Sequence, residues 1–205
     1  MKFPNFREEN KLKKKGFKLI CGIDEAGYGA WAGPLVIGAV ILSPFFKKIS
    51  LCDSKKLSPK KREIYFKMIK QKAVTWSTGR VSQKAIDKHG IIWAKKKALA
   101  LALAKISQKP DFLLIDGPKF FTPNLPHKFV VSGDNKVKSI AAASIVAKVI
   151  RDKIMTELHK KYPKYHFDKN KGYGTANHQK ALKKYGPCQI HRISYKPFKA
   201  ISHFR

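Results

Sequence analysis

Apolar residues occur along the chain in short blocks whose period changes from block to block. Lys18 to Ile23 is an apolar run between Gly16 and Asp24 and reads as a strand. Gly27, Gly29, Gly33 and Pro34 then break the chain, and Leu35 to Leu42, rich in Val and Ile, reads as a second strand. A loop without helical periodicity joins the two, which predicts an antiparallel pair. Ser58 followed by Pro59 is an N-cap with a proline at the first helical position, so a helix is expected to about Lys72. Val74 to Val81 alternates and predicts a third strand. A short helix from Ser82 to near Gly90 and a longer one over Ile91 to Ile106 follow, closed by Pro110. Phe112 to Ile115 is wholly apolar and predicts a central strand; Phe129 to Val131 predicts a short fifth. Ser139 to Lys161 reads as a long helix, apolar almost all round in its first half and therefore buried there, and stopped by Pro163. One more helix, roughly Ala176 to Tyr185, is expected in the remaining Lys-, Tyr- and Gly-rich stretch. This order predicts a layered α/β domain over residues 18–162 with a mixed sheet, a basic arm over 1–17 and a small C-terminal helical extension over 163–205.

Charge adds a partner to this picture. The 205 residues carry 44 Lys and Arg against 13 Asp and Glu, a formal net charge of +31. So much self-repulsion points to a polyanionic partner, nucleic acid before an anionic membrane surface. Within the arm, Lys11, Lys13, Lys14 and Lys15 cluster, as a solvated terminus or as a contact to phosphates. The longest mostly apolar run, Trp31 to Leu42, contains a proline and is too short to span a bilayer. The first ten residues are polar and charged, so no secretory signal is expected. Cys21, Cys52 and Cys188 are odd in number and far apart, which argues against a disulfide framework or a zinc site and for the cytoplasm.

With so few acids, their positions carry information. Glu8, Glu9, Glu63, Asp87 and Glu157 sit in polar surroundings and read as surface charges. Asp24, Glu25 and Asp116 instead stand at the carboxyl ends of apolar strands, and Asp134 follows another strand and precedes the buried helix. In open α/β sheets that edge is where ligands bind. Clustered hard oxygen donors without paired His or Cys suit Mg²⁺ or Mn²⁺. Two such ions between shared carboxylates can activate water and stabilise the leaving oxygen in phosphodiester hydrolysis. The plainer alternatives are N-caps, turn formers and ion pairs with the abundant Lys. The loop Gly27 to Gly33 lacks the spacing of a dinucleotide fingerprint and leads into a strand, not a helix. Its Gly-x-Gly turn can still offer backbone N–H groups to a sugar or phosphate beside Asp24 and Glu25.

These residues resemble a known family. Gly22-Ile23-Asp24-Glu25-Ala26-Gly27 with Ala32-Gly33-Pro34, then Asp53-Ser54-Lys55-Lys56-Leu57-Ser58, Leu114-Ile115-Asp116-Gly117 and Gly133-Asp134 are similar to successive motifs of the type 2 ribonucleases H, specifically bacterial ribonuclease HII. Ser139 to Lys148 with Arg151-Asp152, Lys171-Gly172-Tyr173-Gly174-Thr175 and Ile190-His191-Arg192 complete the series, which covers roughly Lys18 to Phe198 in order. The resemblance implies a ribonuclease H-like fold and a two-metal endonuclease using Mg²⁺ or Mn²⁺; a monomer is the separate expectation. It would cut the RNA strand of RNA–DNA hybrids and cut 5′ of ribonucleotides embedded in duplex DNA, leaving 3′-hydroxyl and 5′-phosphate ends. Carried over by motif position, Asp24, Glu25, Asp116 and Asp134 would hold the metals, with Asp152 as a helper. Tyr173 would pack on the sugar at the RNA–DNA junction, Gly27, Tyr28 and Gly29 would face the 2′-hydroxyl, and Lys55 would touch the substrate backbone. One position departs: the family usually has Gly-Arg-Gly where this chain has Gly27-Tyr28-Gly29. The missing guanidinium removes a positive, multi-donor group beside the scissile phosphate, so weaker action at single ribonucleotides is expected. The rivals are a non-catalytic nucleic-acid-binding protein, which gains nothing from acids facing phosphate, and a metal nuclease acting on junctions.

Overall fold

A computed structural model describes residues 3–51, 54 and 57–199. Asp53, Lys55 and Lys56 of the second motif, and with them the expected substrate contact of Lys55, lie outside the described residues.

Five strands form one sheet in the order β3-β2-β1-β4-β5, with β1 at Ile20–Ala26, β2 at Leu35–Ile41, β3 at Thr75–Val81, β4 at Phe112–Asp116 and β5 at His127–Val130. β1 pairs antiparallel with β2, and β2 with β3; β1–β4 and β4–β5 are parallel. The sheet is therefore mixed, as expected. The centre belongs to β1, and β4 lies one place over, interior to the sheet between β1 and β5.

Two layers of helix cover the sheet. On one face α4 (Ile91–Lys105) packs Ala94, Ala98, Leu99 and Ala102 against Cys21, Ile23, Ile37 and Ile115. On the other lies α5 (Lys138–Lys161), whose Ile140, Ile145 and Val146 are fully buried. Burying each such side chain is worth roughly 1.5–3 kcal/mol, against a helix-propensity penalty of at most ~0.7 kcal/mol, so the β-branched run stays helical. α5 lies close because Gly22 lacks a side chain: a Cβ there would meet the Ser139 carbonyl group and the Ile140 N.

The helix ends follow their local chemistry. Ser58 caps α2 (Pro59–Lys72) by accepting the Lys61 N–H at 3.3 Å, and Ser82 caps α3 (Gln83–His89) by accepting that of Ala85 at 3.3 Å. α5 has no cap of its own, since Val137 precedes it. Glu9 serves instead, its Oε1 accepting the Ser139 N–H at 2.9 Å. Glu9 belongs to α1 (Arg7–Lys14), which lies inside the segment expected to be an arm. The helix docks through Leu12 against Phe17, Phe112 and Ile140, while Lys11, Lys13 and Lys14 face solvent. Glu9 is thus no surface charge: it is buried, and burial raises its carboxyl above the ordinary range even against the Ser139 N–H.

After α5 come two short helical turns, Pro163–Tyr165 and α6 (Phe167–Asn170), then α7 (Ala176–Tyr185) and α8 (Lys196–Lys199). This C-terminal part folds back onto the loop after β1: Ala32, Met155, Tyr165, Phe167 and Ile190 share a small apolar cluster. Among the described residues, no helix is long and apolar enough to cross a membrane.

Candidate active site

The register of the parallel pair builds the site. Ile23 stands opposite Ile115, so Asp24 and Asp116, one residue on in each strand, end side by side at the same sheet edge. Alternation along β1 sends Asp24 toward α5, where the Ser144 hydroxyl bonds to it, and sends Glu25 toward α4, where Lys95 Nζ lies 3.1 Å from its Oε1. Asp24 is 6% exposed. Burial first, then the charges of Asp116 and Glu25, push its carboxyl well above the usual carboxylate range, although the Ser144 hydroxyl and the Glu25 N–H, 2.7 Å from Oδ1, favour the ionised form. Asp116 Oδ1 accepts the Gly133 N–H at 2.6 Å, which anchors the turn Gly133–Asn135 and with it the buried Asp134. Asp134 Oδ1 in turn accepts from Asn135 Nδ2 at 2.9 Å.

This donor set fits a divalent cation. Two buried or half-buried aspartates that repel each other gain most from a doubly charged ion between them, and oxygen is the donor that Mg²⁺ and Mn²⁺ take. Among the described residues no three His, Cys, Asp or Glu side chains converge as a ready-made cage. Glu25 is held on Lys95, on the other face of its strand from Asp24.

Beside the acids is a cleft of about 320 Å³ lined by Glu25, Ala26, Ser54, Ser144, Lys148 and Tyr173. Tyr173 reaches it from the C-terminal part, its hydroxyl oxygen accepting the Gly27 N–H at 3.2 Å. Gly27 has φ of +91°, and a Cβ there would strike the Arg151 guanidinium. That lets the fully buried Arg151 donate to the carbonyls of Pro34 at 2.9 Å, Lys171 at 2.9 Å and Ala32 at 3.0 Å, with Tyr173 stacked 5.2 Å from its Cζ. Arg192, equally buried, donates to the carbonyls of Gly33 and Tyr28. The glycine loop and the C-terminal part are thereby sutured at both ends.

The sequence relates this chain to known proteins over nearly its whole length. Residues 21–198 match the family model for ribonuclease HII. Ribonuclease HII of Acetivibrio thermocellus is 49% identical over 187 residues, 91% of this chain and 73% of that one. Ribonuclease HII of Chlamydia muridarum is 46% identical over 199 residues, 95% and 91% of the two chains. The chain belongs to the ribonuclease HII family. Its fold agrees: the crystal structure of ribonuclease H2 from Pyrococcus horikoshii superposes with a TM-score of 0.74 at 26% identity, covering 89% of this chain and 96% of that one. The enzyme is a ribonuclease H hydrolase, an endoribonuclease acting on RNA–DNA hybrids.

Of the residues singled out in the sequence, the fold brings Asp24, Asp116 and Asp134 to one sheet edge, with Glu25 on the opposite side of β1 and Tyr173 across the cleft. Asp152 lies two helical turns beyond Ser144 on α5, paired with Lys148 at 2.8 Å and Arg62 at 3.4 Å. It faces a larger groove of about 480 Å³ between α2, α5 and α6 that none of the four strand-end acids lines. Tyr28 is exposed, its ring 5.3 Å from Lys95 Nζ. Ser144 and Lys148, which line the cleft, and Arg151, which supports Gly27, also belong to the site. Their i, i+4, i+7 spacing on a helix otherwise apolar was the available signal.

Two buried imidazoles brace the C-terminal part. His178 Nε2 and His191 Nε2 are 3.0 Å apart, His178 Nδ1 bonds the Tyr173 carbonyl at 2.9 Å, and His191 bridges to Ala32. Burial, then the neighbouring His178, lowers His191 to about 4 from an ordinary 6.5. Between those values the unfolded chain binds the proton and the folded one does not, so stability is complete above pH 6.5 and is lost as pH falls toward 4. From pH 7 to pH 5 this one group should remove about 2 kcal/mol. Denaturant titrations at both pH values check it: His191→Gln should flatten the pH dependence by that amount, and an unchanged slope would defeat the assignment.

Proposed function

We propose that the enzyme hydrolyses the RNA strand of RNA–DNA hybrids and also cuts 5′ of a ribonucleotide embedded in duplex DNA, leaving 3′-hydroxyl and 5′-phosphate ends. Asp24, Asp116, Asp134 and Glu25 would hold Mg²⁺ or Mn²⁺, which when bound supplies the activation of water and the stabilisation of the leaving 3′-oxygen. The observation that carries the reading is the adjacency of Asp24 and Asp116 across the β1–β4 register, with the Tyr173–Gly27 bond closing the cleft beside them. Asp24 and Asp116 keep their carboxylates aimed at one edge because neighbouring strands fix both. Asp152 holds Lys148 along the cleft as a phosphate-facing cation, and Lys55 adds a backbone contact. Residues 18–162 form the catalytic body and 163–205 the extension that carries Tyr173. The enzyme works in the cytoplasm as a monomer.

Gly27 and Gly29 offer backbone donors to a 2′-hydroxyl, the group by which a protein tells RNA from DNA. Tyr173, fixed by Gly27, requires a flat deoxyribose on the next nucleotide. Tyr173→Ala should therefore cost more on a single embedded ribonucleotide than on a continuous hybrid. A stacking loss of about 1–3 kcal/mol corresponds to roughly one to two powers of ten in rate. Cleavage of a hybrid, a duplex with one ribonucleotide and an all-DNA duplex, each with Mg²⁺ or Mn²⁺, tests both claims. Equal losses on the first two substrates would reduce Tyr173 to an anchor, and no cleavage of the second by the unmodified enzyme would remove the embedded-ribonucleotide activity.

A further inference from the structure

Lys95 occupies a position where the pattern of α4 asks for an apolar residue: Ala94, Ala98, Leu99 and Ala102 around it all enter the core. Its side chain is 7% exposed, which is rare for lysine. A cation so placed persists only where it is paired. Its Nζ lies 3.1 Å from Glu25 Oε1, 3.8 Å above the centre of the Phe120 ring and 5.3 Å from that of Tyr28. A carboxylate on one side and two aromatic rings on others fix the ammonium in one place. That place is the end of β1 where Glu25 sits, beside the Tyr28 ring of the Gly27–Gly29 turn. Tyr28, in that turn, brings no charge of its own.

We propose that Lys95 is a positioning residue of the reaction: it holds the Glu25 carboxylate, which lines the cleft, and its ammonium is the positive charge set behind Glu25 and beside Tyr28. That cation comes from α4, through the sheet edge, and not from the turn. Because the Tyr28 ring lies against Nζ, a long cationic side chain at residue 28 would reach the same region. The two positions are therefore interchangeable sources of one charge. This rests on Glu25 being one of the metal-holding acids.

The test compares Lys95→Met, Lys95→Arg and the double variant Lys95→Met/Tyr28→Arg. Steady-state cleavage of an RNA–DNA hybrid with Mg²⁺ gives kcat and KM; calorimetry with Mn²⁺ and no nucleic acid gives metal affinity; thermal melting reports folding. Lys95→Met should lower kcat ten- to a hundredfold with KM within threefold, and bind Mn²⁺ several-fold more tightly, because a competing cation beside Glu25 is gone. A residue that merely supports the fold cannot give slower turnover together with tighter metal. Lys95→Arg should keep kcat within about threefold of the unmodified enzyme, and the double variant should recover most of the loss. Unchanged kcat in Lys95→Met, Mn²⁺ affinity falling in step with the melting temperature, or a double variant no better than the single one would each overturn the proposal. Glu25→Gln separates it from the reading beneath it: a fully active Glu25→Gln overturns the metal-holding role of Glu25, whereas an inactive one beside an unaffected Lys95→Met overturns Lys95 alone.

Discussion

Asp116→Asn should abolish cleavage of an RNA–DNA hybrid almost completely while the hybrid still binds as well or slightly better. The substitution is isosteric, and the carbonyl oxygen of the new amide can still accept the Gly133 N–H that Asp116 Oδ1 accepts at 2.6 Å, so the Gly133–Asn135 turn and Asp134 stay in place. What disappears is one negative charge beside Asp24. The charge stabilisation that a metal supplies in such a site amounts to several kcal/mol, so the loss in rate should be on the order of a thousandfold. Binding should move the other way, because one negative charge that would repel phosphate is gone from a chain whose net charge is +31. Single-turnover cleavage and filter binding on the same hybrid check the pair. A variant that cleaves within tenfold of the unmodified enzyme would defeat the role given to Asp116.

Arg151→Met should have the largest effect on stability. The guanidinium is fully buried and satisfies three carbonyls, of Ala32, Pro34 and Lys171, from the loop after β1, the residue before β2 and the segment before Tyr173. Leaving buried acceptors unpaired costs about 1–3 kcal/mol each, and three that partly relax or admit water should total on the order of 3–5 kcal/mol. For a chain of this size the melting temperature should fall by roughly 10 °C. Both cleavage activities should drop together, because Gly27 and Tyr173 lose their common support, in contrast to the selective loss expected for Tyr173→Ala. Arg151→Lys should recover only part of the stability, since an ammonium cannot span three acceptors held in a fixed fork. Calorimetric melting of the three proteins decides it, and a shift under about 3 °C for Arg151→Met, the change expected from roughly 1 kcal/mol, would show that the suture is dispensable.

Much of the architecture is legible locally. Ser58-Pro59 and Ser82 announce their helices, and the structure begins α2 and α3 at the following residues. α7 spans the expected Ala176–Tyr185, β2 and β3 agree to within a residue, and the long buried helix starts one residue early. These features depend on periodicity, caps and prolines, all contained in a few neighbouring residues. α1 escapes that reading because its eight residues hold one apolar side chain, Leu12, among charges, so the segment resembles a solvated basic terminus. Only contact with Phe112, Ile140 and the open end of α5 makes it a packed helix.

The chemistry divides along the same line. Strand-end position in the sequence was enough to select Asp24, Glu25 and Asp116 from the thirteen acids. Their relation to each other needed the fold. The parallel register of β1 and β4 sets Asp24 beside Asp116, and strand alternation turns the adjacent Glu25 away toward α4 and Lys95. In the sequence Glu9 reads as a surface charge and Lys95 as one of several lysines on its helix, yet each is buried against a group more than sixty residues away. Hydrophobic period and capping are encoded within one element. Which charges share a dry, crowded space is fixed only when elements distant in sequence pack, because burial and pairing are properties of the assembled layers.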